Sequence, residues 1–240
     1  MDISWLEQFE ADVPIGNQWL STREKCCLDG MRFAKRRTDW RLGRWTAKQA
    51  VAACLNLPTD ITGLSDIEVL AAPSGAPQIF LQNRPADVAV SLSHREGTAL
   101  CTVALAGTSF GCDLEAIEPR SDAFIADYCT REEQALIART PLGYRDLLVS
   151  LIWSAKESAL KALHVGLRMD TRCVSVRPNG WLLEPDGKEW EELCAERLTW
   201  QPLCVHCSSG SIYSGWWRFQ DHLVRTMVCD RRLQKPRWAQ

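Results

Sequence analysis

The stretch Leu151–His164, LIWSAKESALKALH, constrains this chain more than any other. Leu151, Ile152, Ala155, Ala159, Leu160 and Leu163 recur at helical spacing, which predicts a helix with one face in a core. Lys156, Glu157 and Lys161 ride on it. Glu157 and Lys161 are four apart, an acid and a base on neighbouring turns of one face. Taken alone, such a pair is an ordinary surface ion pair and contributes little.

An acidic strand some forty residues upstream changes its weight. Within GTSFGCDLEAIEP (residues 107–119), a strand over Phe110 to Glu115 turns Cys112 and Leu114 to one face and Asp113 and Glu115 to the other. Two carboxylates then sit about 7 Å apart on one side. They repel unless a cation lies between them. Mg2+ suits such a place, because it takes oxygen ligands and keeps positions open for substrate phosphates. The plain alternative is an exposed strand face that happens to carry two acids.

A third feature is basic. From Arg32 to Lys48 the chain has seven basic residues against the single acid Asp39. A solvated helix face usually mixes signs, so the excess points to an anionic partner. The segment predicts a helix from Asp39, as N-cap, to Asn56, ended by Pro58. Arg37, Arg41, Arg44 and Lys48 recur at steps of four, three and four and make a basic stripe. Such a stripe can hold phosphate through forked hydrogen bonds, or grip neighbouring carboxylates.

Between these features, Gly75 and Pro77 mark a turn into a strand. Val88 onward alternates and is interrupted at Gly97, and Ala99 to Leu105 is a continuous apolar run, so a strand pair is expected. Ser93 and His94 fall at the end of its first strand, a common place for ligand contacts as well as for structural histidines. Thr130 with Glu132 or Glu133 predicts a capping box opening a short helix. Turns are expected at 178–180, 185–187 and 208–210, and Trp181, Trp190, Trp200, Trp216 and Trp217 are expected in core and hairpin packing. Cys204-Val-His-Cys207 has no second pair at metal spacing, so two core cysteines on a strand are expected rather than a zinc site.

Composition closes off several classes. A chain of 240 residues, 46% hydrophobic and 24% charged, folds, as one large domain or two of about 120 residues. A net charge of -2 gives no nucleic-acid signature. The acidic N-terminus is unlike a signal peptide and no segment is apolar enough to span a bilayer, so a cytoplasmic location without membrane association is expected. Eleven scattered cysteines fit buried thiols in a reducing compartment. The helices at 39–56 and 144–164 are each followed by paired strands. That order suggests an internal duplication into halves 1–107 and 108–240, with a ligand cleft at the junction. The expected class is α+β, two similar halves related by a pseudo-twofold, each a long helix on an antiparallel sheet.

Gly111-Cys-Asp113-Leu-Glu115 and Trp153-Ser-Ala-Lys156-Glu157-Ser-Ala-Leu-Lys161 match the GxDxE and WxxKExxxK signatures of the 4'-phosphopantetheinyl transferases. Ser93-His94, the Gly75-Ala-Pro77 turn and the basic segment 35–44 fall where the larger, pseudo-dimeric surfactin-synthetase-activating (Sfp-like) class has its corresponding motifs. The resemblance covers roughly residues 32 to 165, and the length resembles the two-half class rather than the short trimeric one.

The resemblance implies transfer of the phosphopantetheine arm of coenzyme A, as co-substrate, to a serine of an apo acyl or peptidyl carrier protein, releasing adenosine 3',5'-bisphosphate. It implies Asp113, Glu115 and Glu157 as ligands of Mg2+, with Mn2+ as an alternative. Glu157 takes the serine proton, Lys161 stabilises the departing phosphate, and Lys156 offsets nearby charge. Ser93 and His94 meet the coenzyme's phosphates, and Arg37, Arg41 and Arg44 its 3'-phosphate. Gly75 and Pro77 shape the coenzyme turn, where Ala76 replaces the lysine of many relatives. A monomer working on the acidic helices of its carrier follows. Two other classes remain open at this stage: a coenzyme A or carrier-binding module without turnover, and a Mg2+-dependent nucleotide hydrolase.

Overall fold

The computed structural model describes residues 3–178, 199–230 and 237–238 of a chain of mixed helix and sheet, divided into two compact units. One is drawn from 3–108 with 237–238, the other from 109–230. The expected turns at 178–180 and 185–187, and Trp181 and Trp190, lie wholly or partly outside the described residues.

In the first unit, β1 (Ser4–Phe9) pairs antiparallel with β6 (Thr98–Leu105), which pairs with β5 (Val88–Arg95). The two-residue strand Arg237–Trp238 adds to the free edge of β1 in parallel. A second sheet holds β2 (Ile67–Ala71), β3 (Pro77–Leu81) and β4 (Arg84–Pro85). Helices α1 (Thr22–Asp29), α2 (Ala34–Leu55) and α3 (Ile61–Ser65) lie between β1 and β2. Two predicted turns are present. Gly75 takes φ +88 in the turn before β3, and Glu96 and Gly97, at φ 49 and 73, make the two-residue β5–β6 hairpin.

Helix α2 begins five residues before its predicted cap. Its N-cap is Phe33, and Asp39 lies inside the helix, paired with Lys35 at 3.2 Å, one turn back. The basic residues at 35–37 are good helix formers, so the helix extends through them. Its C-cap is the left-handed Asn56, at φ 54. Ala47, Ala50 and Val51 bury against Val69, Val90, Cys101 and Val103.

In the second unit, β7 (Phe110–Ala116) is followed by α4 (Asp122–Tyr128), α5 (Arg131–Arg139) and α6 (Leu142–Ala162). Then β8 (Val174–Pro178), β9 (Gln201–Cys207), β10 (Ile212–Gln220) and β11 (Leu223–Cys229) complete an antiparallel sheet ordered β7-β11-β10-β9-β8. The capping box is found as Thr130 with Glu133. Gly210, at φ +89, closes the expected turn between β9 and β10.

Helix α6 lies on β7 and β11, and its approach is close for a sequence reason. Ser150, Ser154 and Ser158, four apart, are fully buried toward the sheet. Ser150 donates to Ala116 O at 3.1 Å, and Ser154 and Ser158 bond Thr226 Oγ1 at 2.9 and 2.7 Å. Opposite them, a Cβ on Gly111 would stand 2.0 Å from Ser158 O. Only glycine admits the helix there.

The cysteine expectation is corrected. Cys207 is buried on β9, but Cys204 is half-exposed on the opposite face, 3.3 Å from His206 Nε2. Residues three apart on a strand point to opposite faces, so these two do not share a core.

Candidate functional site

The close contact of α6 with β7 brings together the residues of the two sequence motifs. Asp113 and Glu115 share the face of β7 that meets α6. Lys161 Nζ donates to Asp113 Oδ1 at 2.7 Å and to Cys112 O at 3.0 Å. Trp153 Nε1 donates to Glu115 Oε1 at 3.0 Å. Trp153 is itself wedged against Phe124 and Tyr128 of α4, with ring centroids 5.2 and 5.1 Å away. These contacts fix the rotation of α6 about its axis.

Glu157 sits between Trp153 and Lys161 in the helix sequence. Its Oε1 is buried without a hydrogen-bond partner among the described residues. Burial pushes the Glu157 carboxyl above its usual range, the charge of Asp113 adds to this, Lys161 offsets part, and Glu115 contributes further. A buried carboxylate oxygen left unmatched is costly, and a proton or a cation relieves it. Burial works against the Lys161 ammonium, but the Asp113 charge, with the hydrogen bond to it, keeps the proton held more tightly than usual.

The expected three-acid cage is not preformed. Among the described residues, no three His, Cys, Asp or Glu side chains converge closely enough to hold an ion. Lys161 occupies Asp113, and Glu115 is shared between Trp153 and Arg120, whose Nη2 lies 3.6 Å from Oε2. The donor chemistry still fits a hard divalent ion, since three carboxylates are electrostatically coupled around one unmatched oxygen.

Lys156 has a different post from the one expected of it. It is fully buried, 2.9 Å from Glu133 Oε2, and donates to Thr171 O at 2.9 Å and to Val174 O. Glu133 also accepts from Thr130 N and Val176 N, both at 2.7 Å. One carboxylate thus ties the start of α5, strand β8 and helix α6 together. The first unit contains the same device. Ser21 and Glu24 form the capping box of α1, Glu24 accepts from Val69 N at 3.0 Å, and the fully buried Lys48 of α2 pairs with Glu24 while donating to Trp19 O and Leu64 O.

The basic stripe separates into two groups. Arg37 donates to Leu28 O at 2.6 Å and Met31 O at 3.3 Å, and Arg41 holds the carbonyls of Pro14, Ile15 and Gly16. With Lys48 also buried, these side chains brace the unit instead of presenting a basic surface. Arg44 stacks over Trp40 at 4.7 Å, and its Nε is buried without a partner among the described residues. A cavity of about 480 Å3 is lined by Arg44 and His94 together with Phe33, Lys35, Arg36 and Trp40. Of the residues expected on the coenzyme, Arg44 and His94 line it, whereas Arg37, Arg41, Ser93, Gly75 and Pro77 do not. Lys35 and Arg36 belong to the basic segment 35–44, but only Arg37, Arg41 and Arg44 of it are expected on the coenzyme, and Phe33 and Trp40 are not expected at such a cavity. The spacing 33, 36, 40, 44 is as helical as 37, 41, 44, 48, and the aromatics were its signal.

Residues 109–200 match the family model of the 4'-phosphopantetheinyl transferase superfamily. The chain is 29% identical over 97 residues to a holo-[acyl-carrier-protein] synthase of Streptococcus agalactiae, covering 40% of this chain and 82% of that one. It is 32% identical over 71 residues to one of Enterococcus faecalis, covering 30% and 61%. A solved holo-(acyl-carrier-protein) synthase of Bacillus anthracis in complex with CoA (3',5'-ADP) is similar with a TM-score of 0.37 and 21% identity, over 43% of this chain and 94% of that one. The sequence matches support the superfamily for this part of the chain, which holds the acids of β7 and helix α6.

Proposed function

We propose that this protein transfers the 4'-phosphopantetheine group of coenzyme A to a serine of an apo carrier protein with the aid of Mg2+. The observation that carries the reading is the cluster Asp113, Glu115, Glu157 and Lys161 assembled at the Gly111 contact, within the region that matches the superfamily. Transfer of a phosphoryl-type group asks little covalent chemistry of a protein, chiefly positioning and charges placed where charge develops.

Asp113, Glu115 and Glu157 are the residues that would hold the metal, which when bound lowers the charge of the pyrophosphate. Glu157 is the base for the incoming serine hydroxyl: it lies beside Asp113 and Lys161, and its Oε1 has no hydrogen-bond partner among the described residues. Lys161, its proton held firmly, neutralises the phosphate that departs as adenosine 3',5'-bisphosphate. In the first unit, the cavity with Lys35, Arg36, Arg44 and His94 beside Phe33 and Trp40 takes the adenosine phosphate end of the coenzyme.

The repeated capping box and buried lysine support the Sfp-like two-half class as part of this reading. Aligning Lys48 with Lys156 places Gln49 where Glu157 stands and Ala53 where Lys161 stands. The first unit would then be a copy that has lost its chemistry and kept its frame, so a monomer carries one reaction centre. Incubation of the protein with coenzyme A, Mg2+ and a panel of apo carriers, followed by intact mass measurement, tests the reading. At least one carrier gains a phosphopantetheine arm only when metal is present. A panel without any gain refutes the proposal.

A further inference from the structure

Arg120, just beyond β7, faces two carboxylates. Its Nη2 is 2.8 Å from Glu118 Oε1 and 3.6 Å from Glu115 Oε2. The guanidinium lies over the Phe124 ring at 5.1 Å, and the same ring contacts Trp153, which holds the other oxygen of Glu115. The grip is therefore tight on Glu118 and loose on Glu115. Lys161, by contrast, is anchored to Asp113 by a short bond and to Cys112 O by a second one.

We propose that Arg120 is a positioning residue that competes with a divalent ion for Glu115 and so sets the metal affinity of the protein, with Glu118 as the carboxylate that draws it away. This rests on the reading of Asp113, Glu115 and Glu157 as the metal ligands. A dication approaching Glu115 Oε2 meets the Arg120 guanidinium, whose Nη2 is 3.6 Å from that oxygen, and the two charges repel. Arg120 relieves the repulsion by a small shift toward a partner it already holds. Its side chain is 22% exposed, so solvent leaves room for that shift.

Mn2+ binding to the full chain, followed by electron paramagnetic resonance of the free ion without coenzyme A or carrier, tests this. Arg120→Ala binds Mn2+ roughly three- to tenfold more tightly than wild type at low salt. Glu118→Gln binds it more weakly, because Arg120 is released onto Glu115. In the double variant the Glu118→Gln effect shrinks to its long-range part. Opposite signs at two neighbouring residues are not produced by a general loss of structure. Should Arg120→Ala unfold, Arg120→Met keeps the stem over Phe124 and carries the same expectation. Wild type that binds Mn2+ with an Arg120 variant that binds it equally or less tightly overturns the inference and leaves the transferase reading standing. Wild type that binds no Mn2+ overturns the metal assignment and the inference with it.

Discussion

Lys161 Nζ lies 2.7 Å from Asp113 Oδ1, so the last turns of α6 are tied across to the middle of β7 and not to Glu157 on the same helix. That bond separates two roles that adjoining turns would otherwise blur. Lys161 is spoken for by the strand, and Glu157 keeps an oxygen without a hydrogen-bond partner among the described residues.

Replacing Lys161 therefore affects both the charge at the departing phosphate and the setting of Asp113. Lys161→Ala is expected to lower kcat for carrier modification by about 10²–10³, as loss of a preorganised charge does in other sites. Rates from intact mass time courses check this. A loss confined to KM would contradict the role given to Lys161.

Glu157→Gln separates stability from activity. The folded pKa of Glu157 is raised, first by burial and then by Asp113. Such a group favours the fold most below its unfolded pKa and loses that contribution as pH rises through the folded value. Near neutral pH, in metal-free buffer, the ionised carboxylate weighs against the fold. The glutamine variant should then show a higher Tm than wild type at neutral pH, with the gain shrinking toward the ordinary glutamate pKa of about 4.3. Its transfer rate should fall by about 10²–10⁴.

Gly111 is a steric requirement of the α6 contact. Gly111→Ala places a methyl group 2.0 Å from Ser158 O, and backbone on both sides must shift. A destabilisation of about 1–3 kcal/mol is expected from denaturant unfolding. Activity should fall further than stability explains, because the same shift moves Asp113 away from Lys161.

The Glu133–Lys156 pair is expected to govern stability. Breaking one side of a fully buried pair costs about 3–5 kcal/mol, and Lys156→Met should show it in thermal unfolding. Replacing both partners, as Glu133→Leu with Lys156→Met, should recover part of the loss. Full stability of Lys156→Met would show that the pair does not hold α6.

Among the arginines, Arg36→Ala and Arg44→Ala should raise KM for coenzyme A by about tenfold with little change in kcat, as loss of binding shared by ground and transition states does. Arg37→Ala and Arg41→Ala should lower Tm and leave KM nearly unchanged, because Arg37 Nη1 and Arg41 Nη2 are held by backbone carbonyls. The reverse pattern would return the coenzyme to the stripe expected from spacing alone.

Much of the frame was legible in residue order. The helix through Leu151–Ala162, though not its expected end at His164, the strand carrying Asp113 and Glu115, the Thr130 capping box and the turns at Gly75, Gly97 and Gly210 each follow from local chemistry, which acts within a few residues. What lay beyond it is the choice of partner. Lys156 and Glu157 are adjacent, yet about 100° of helix rotation sends the lysine to Glu133 in the core and leaves the acid beside Asp113. The basic stripe shows the same limit. Periodicity says that residues 37, 41 and 44 share a face, but not that the carbonyls of Leu28 and Pro14 already occupy that face. The sequence by itself determined which residues carry charge and how they alternate along helices and strands. Only the tertiary structure decided which of those charges are consumed inside the fold and which are left for a ligand, because that depends on groups brought alongside from tens of residues away.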